Sequence, residues 1–158
     1  MLARRFAGLV CSGVLWSQSF HVPATTINKN GAAEFSILLN SPEGKAPVAL
    51  QWEFRVPTAL VMTAADVTVG QAAESRGKSV VCAAGGKGPV PKDGVRYTCI
   101  LAGGINRIAN GPVAVVHYRV ESSAQRGRTQ VAIESAKGVS LDLKSTAIAD
   151  TTALITIR

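Results

Sequence analysis

Between Ala49 and Val56 the chain places Leu50, Trp52, Phe54 and Val56 two residues apart, with Gln51, Glu53 and Arg55 between them. A period of two is that of a β-strand with one face on a core and the other in water. Similar runs recur as AAEFSILL, DVTVG, KSVVCAA, VRYTCILA, PVAVVHYRV, TQVAIES, VSLDLKS and TALITIR, each rich in β-branched or aromatic residues and bounded by Gly, Pro, Asn, Asp or Ser. With VALQWEFRV they make nine predicted strands, and beyond the first twenty residues no window keeps a helical period. The predicted fold is all-β, a nine-stranded sandwich of the jelly-roll kind. In PVAVVHYRV the alternation sends Ala114, Val116, Tyr118 and Val120 inward and Val113, Val115, His117 and Arg119 outward, although Val113–Val116 is apolar on both faces.

The N-terminus departs from this pattern. Arg4 and Arg5 precede an apolar run from Phe6 to Trp16, and Ser17 and Ser19 follow as a small-x-small pair. That is the plan of a secretory signal, and the run falls well short of the ~20 residues a spanning helix needs. Residues 1–19 are therefore expected to be a removable signal-peptide helix, with cleavage between 19 and 24 and the sandwich over 25–158. A short buried helix is the competing reading of the same stretch. The expected location is secreted: extracellular, periplasmic or cell-surface, with membrane contact only through the leader.

Removing the leader takes Cys11 with it and leaves Cys82 and Cys99, an even pair in an oxidising compartment. Each lies in a predicted strand, and the Gly/Pro-rich stretch between them would let the strands form a hairpin with the cysteines opposite. A loop of that length is worth ~3 kcal/mol when cross-linked. Two buried thiols in neighbouring strands remain the alternative. The two cysteines and the distant His21 and His117 lack zinc-ligand spacing, so no metal or cofactor is expected.

Lys and Arg total 17 against 10 Asp and Glu, a net charge of +7; without Arg4 and Arg5 it is 15 against 10, or +5. The bases are scattered and not interleaved with aromatics, which argues against nucleic-acid binding. No catalytic residues are assigned. The acidic residues suggest no flanking carboxylate pair of the glycosidase kind, no nucleophile elbow accompanies the serines, and His117 sits mid-strand without an evident partner. The glycines of GGKG at 85–88 and AGG at 102–104 are read as turn residues.

The order NGPVAVVHYRVESSAQRGRTQVAIES, then GVSLDL and a last strand ALITIR, resembles the C-terminal half of bacterial cohesin domains. The positions that carry the resemblance are Gly111, Val113, Ala114, Tyr118, Val120, Ser123, Ala124 and Gly127. Upstream, ALQWEFRVPTAL at 49–60 is similar to the cohesin strand that ends in a Tyr-Asp-Pro corner, with Val56 here in place of the Asp. The resemblance covers roughly residues 25–158. It implies a non-catalytic binding module, since cohesins hold a dockerin, a small helical calcium-binding module, on one flat sheet face and so mount polysaccharide-degrading enzymes on scaffolds. By strand position and facing, the partner-binding face would present Gln51, Glu53, Arg55, Arg96, Thr98, Val115, His117 and Arg119. Direct polysaccharide binding is the alternative. It is disfavoured because aromatics are 5% of the chain and Trp52, Phe54, Tyr97 and Tyr118 are all predicted inward. A structural module of an envelope or secretion assembly, joined through an edge strand, is a third reading.

Overall fold

The computed structural model describes residues 17–86 and 92–158. Of the leader helix expected over 1–19, residues 1–16 lie outside the described residues, while Ser17 and Gln18 are not helical and Ser19 opens a strand. In chain order the strands are β1 (Ser19–His21), β2 (Thr25–Ile27), β3 (Ala32–Asn40), β4 (Ala49–Pro57), β5 (Leu60–Val61), β6 (Val67–Val69), β7 (Ser79–Ala84), β8 (Gly94–Ala102), β9 (Gly111–Val120), β10 (Gly127–Val139), β11 (Ser145–Ala147) and β12 (Thr151–Ile157). A 3₁₀ turn at Ala64–Asp66 precedes β6, and a single helical turn, α1 (Gln71–Glu74), follows it.

Two sheets face each other. One runs β1, β3, β9, β5, with β6 also on β9; the other runs β2, β12, β10, β4, β8, β7, with β11 beside β10. Pairing is antiparallel except between β12 and β2. The described strands number twelve where nine runs were expected. The short β1, β2, β5 and β11 carry too little alternation to stand out in the sequence. VSLDLKS is a turn for most of its length: Leu143 adopts φ +61° and the Ser140 amide donates to the Lys144 carbonyl at 3.0 Å. The strand-like alternation there only mimics a strand.

Trp52, Phe54, Leu50, Leu101, Ile133 and Ile155 from one sheet meet Ile37, Leu39 and Val116 from the other, all at most 2% exposed. Phe20 packs edge-on against Trp52 at 6.1 Å between ring centroids, and Phe35 edge-on against Phe54 at 6.5 Å. Each ring contact joins the two sheets. Burial of a side chain of this size stabilises by about 1.5–3 kcal/mol, and an edge-on ring pair adds about 0.5–1.5. Tyr97 ties the layers polarly, its hydroxyl donating to the Met62 carbonyl at 2.9 Å, and burial raises its pKa.

Alternation holds along β4 but breaks in β9. Val113, expected outward, is fully buried, as is Ala114 beside it. The register slips between Ile37 and Leu38, which pair with Ala114 and Pro112, so Val113 is the extra residue of a bulge. Gly70 and α1 then cover it. The Gly70 amide donates to the Val113 carbonyl at 2.9 Å, and a side chain at Gly70 would run into Pro112.

The cysteines are directly opposite in the β7–β8 register and joined as a disulfide, with Cα atoms 4.1 Å apart. The cross-link fixes β7 to β8, its only neighbour in the sheet among the described residues.

Candidate docking faces

The eight residues assigned to one face divide between two. Gln51, Glu53 and Arg55 lie on β4 and Arg96 and Thr98 on β8, adjacent strands of one sheet; Val115, His117 and Arg119 lie on β9, in the other. The sandwich core separates the two groups.

On the β4 sheet the outward residues form rows across the strands. Val81, Ile100, Gln51 and Lys137 are successive partners in one, and Ala83, Thr98, Glu53 and Glu134 in the next. In a third, Arg96 stands opposite Arg55. Like charges directly opposite repel. The arrangement resolves this by pairing between rows: Arg55 donates to Glu134 at 2.9 Å and Arg96 to Glu53 at 3.3 Å. The first pair is half in water. The second is not, the side chains of Arg96 and Glu53 being only 14% and 6% exposed.

Glycines explain that cover. The Gly85 amide donates to the Arg96 carbonyl at 2.8 Å, and the Thr98 hydroxyl donates to the Gly85 carbonyl at 2.9 Å, which holds the chain close to the sheet. A Cβ at Gly86 would strike the Arg96 side chain and come within 3.1 Å of Glu53 Oε2. The glycines read as turn residues thus also permit a close approach, and Glu53, expected in water, is buried. Beside the charges stand Val81 and Ile100, 70% and 52% exposed. Sequence reasoning missed both, along with Lys137 and Glu134, because which strands are neighbours is not encoded in any one strand.

The β9 sheet presents a different surface. His117 Nδ1 lies 3.2 Å from Glu34 Oε2 and Nε2 lies 3.4 Å from the Thr68 hydroxyl, partners that β3 and β6 supply and the sequence left unseen. Glu34, Val61, Asp66, His117 and Arg119 line a shallow groove of about 480 Å³. Asp66 accepts from the Thr63 amide at 2.6 Å and its hydroxyl at 2.9 Å. These bonds, helped by His117 and Arg119, hold its carboxyl below the usual range.

Every aromatic ring among the described residues is buried, so none offers a stacking platform to a sugar. No group of three or more metal-ligating side chains occurs among them.

Fold and surface together define a two-sheet sandwich module whose β4 face sets paired charges beside the exposed Val81 and Ile100. The fold is that of cohesin modules. It is similar to the sixth cohesin of Acetivibrio cellulolyticus scaffoldin B, solved in complex with a mutant Cel5 dockerin, at a TM-score of 0.72 and 11% identity over 90% of this chain and 99% of that one. It is also similar to a Clostridium thermocellum cohesin in the Coh-OlpA–Doc918 complex (TM-score 0.69, 14% identity, 90% and 99% covered). A non-cellulosomal cohesin of the archaeon Archaeoglobus fulgidus matches at a TM-score of 0.64 and 12% identity, over 90% and 91%. No family model and no curated protein matches the chain by sequence.

Proposed function

We propose that the chain is a secreted, non-catalytic docking module that holds a protein partner on the outer face of β7, β8, β4 and β10. The observation that carries this is the apolar row of Val81 and Ile100 lying beside a charge lattice already fixed by Arg55–Glu134 and Arg96–Glu53. Exposed apolar area supplies affinity, and pre-ordered charges at its rim supply register at little entropic cost. Two of the similar cohesins were solved with dockerins, which supports a dockerin-like partner and a role in mounting extracellular polysaccharide-degrading enzymes. Polysaccharide itself fits less well, because the described rings are all buried.

The leader is proposed to end before Gln18 and not at 19–24. Gln18 is buried and donates to the Lys45 carbonyl at 2.7 Å, and β1 carries Phe20 onto Trp52. Cleavage after β1 would strip a strand from β3. N-terminal sequencing of the secreted protein checks this, and a mature start beyond Gln18 would refute it.

The docking face is tested by titrating the protein against a panel of dockerin modules, with insoluble cellulose as a parallel arm. Ile100→Asp is expected to weaken a binding dockerin at least about tenfold, the scale of one lost apolar anchor. Binding by no dockerin together with retention on cellulose would overturn the reading.

A further inference from the structure

Seven large apolar side chains are exposed among the described residues. Four of them, Val61, Val81, Val95 and Ile100, sit on strands. The other three, Ile105 at 79%, Leu141 at 50% and Leu143 at 85%, stand on loops at one end of the sandwich. That end is shared because β8 and β10 both flank β4 and both run antiparallel to it. The loops that follow them therefore leave the sheet together, about two strand spacings or ~10 Å apart.

Both loops are braced by polar groups while their apolar side chains point into water. The buried Lys78 ammonium donates to the Gly103 and Gly104 carbonyls, the latter at 3.2 Å, and so sets the turn that displays Ile105. In the other loop the Leu143 amide donates to the Ser140 carbonyl at 3.0 Å, the Ser140 hydroxyl donates to Asp142, and Lys144 lies 2.8 Å from the Asp142 carboxylate. Leu143 holds φ +61°, a conformation that favours glycine or asparagine. A leucine there is backbone strain with no packing in return. Strain kept at an exposed position points to a use outside the fold.

Cations stand at this end of the sandwich as well. Lys45, Arg107 and Lys144 line, with Leu141, a depression of about 500 Å³, and Arg76 lies beside Arg107 in the adjoining one. Among the described residues Lys45, Arg76 and Arg107 join no ion pair, and the acids at this end are Glu43, Glu74 and Asp142, the last already held by Lys144.

We propose that this end of the sandwich docks on an anionic lipid bilayer, with Ile105, Leu141 and Leu143 entering the headgroup boundary and Lys45, Arg76 and Arg107 facing lipid phosphates. Apolar loop tips with bases at the same end are what such a surface selects. The site is separate from the β7–β8–β4–β10 face and does not depend on its role.

The test is co-sedimentation of the purified chain with vesicles of equimolar phosphatidylglycerol and phosphatidylcholine, and with phosphatidylcholine alone. Stronger binding to the anionic vesicles is expected, and Leu141→Asp with Leu143→Asp should lower it roughly tenfold or more. Wild type and variant carry the same N-terminus, so the difference reports the tips. Leu143→Gly separates fold from function, since it relieves the backbone and should keep or raise Tm while still weakening vesicle binding. Equal sedimentation of wild type and the double variant, or equal binding to both vesicle types, overturns the proposal. Self-association without vesicles that the double variant abolishes would also overturn it, by making the tips a contact between copies.

Discussion

The two outer faces of the sandwich are built from the same pattern and organised differently. On the β4 face, four charges from three strands pair across rows, one pair lies almost out of water, and Gly86 is pressed onto it. On the β9 face, His117 and Glu34 are 46% and 61% exposed and border an open groove. Alternation within a strand says which residues point out of a sheet. It does not say which sheet, and it does not say what lies on top. The β4 face is therefore a rigid surface in which each substitution disturbs neighbours, while the β9 face should tolerate change.

Removing the disulfide should break this contrast most severely. Cys82→Ala with Cys99→Ala is expected to cost about 3 kcal/mol, the scale for a loop of 17 residues. The loss should be uneven. Hydrogen exchange should rise along β7 and β8, which carry Val81 and Ile100, and stay near wild type along β9. Urea denaturation checks the magnitude, and a uniform rise in exchange would show that the cross-link stabilises the whole domain and not one face.

Charge deletions come next and address the comparison directly. Glu53→Ala takes the carboxylate 3.3 Å from Arg96 out of a site only 14% exposed. The expected cost is about 2 kcal/mol, between a surface pair at ~0–1 and a fully buried one at ~3–5. Glu34→Ala removes the partner of an exposed histidine and should cost below about 0.5 kcal/mol. Equal costs would mean that the cover over Glu53 contributes nothing.

How far the sequence foretold these faces depended on how local each signal was. Leu50, Trp52, Phe54 and Val56 were readable as core because one strand's alternation suffices, and the cysteines were readable as a pair because a Gly/Pro-rich connection between two strands implies a hairpin. The cohesin-like order was readable for the same reason, as a succession of local strands and corners. Val113 was not, since its burial follows from a bulge opposite Ile37 and from cover by α1. Turn 140–144 misled because Leu141, Asp142 and Leu143 alternate like a strand while Leu143 takes a left-handed backbone. The candidate face was split for a related cause, since placing β9 opposite β4 and not beside it is a property of the whole chain's topology.

A smaller effect separates Gly85 from Gly86. Gly86→Ala forces the new Cβ against Arg96 and Glu53 and should cost about 1 kcal/mol, with a larger loss of partner binding than of stability, because the rim charges shift. At Gly85, φ +114° disfavours any side chain although nothing lies within 4 Å, so Gly85→Ala should cost a similar amount through the backbone and leave the charges in place. Thermal melts paired with binding titrations distinguish the two routes.

The smallest expected effect is in acid. Asp66, on the β9 face, is held below the usual carboxylate range by its Thr63 bonds, and Asp142, at the loop end, is lowered to about 2 by Lys144 and Ser140. A carboxyl with a depressed folded pKa stabilises above its unfolded value near 4. That contribution is lost as pH falls through the folded pKa, so Asp142's should fade from about pH 4 through pH 2 and Asp66's as the pH drops below about 4. Asp66→Asn and Asp142→Asn should each lower Tm by roughly 1–2 °C at neutral pH, and the difference from wild type should shrink on acidification, closing below about pH 2 for Asp142. Both sites are exposed, which keeps the shifts small. If Asp66→Asn stayed below wild type by the same margin however far the pH was lowered, its role would be in hydrogen bonding to Thr63 irrespective of charge, and the open face would owe its shape to the turn and not to the carboxylate.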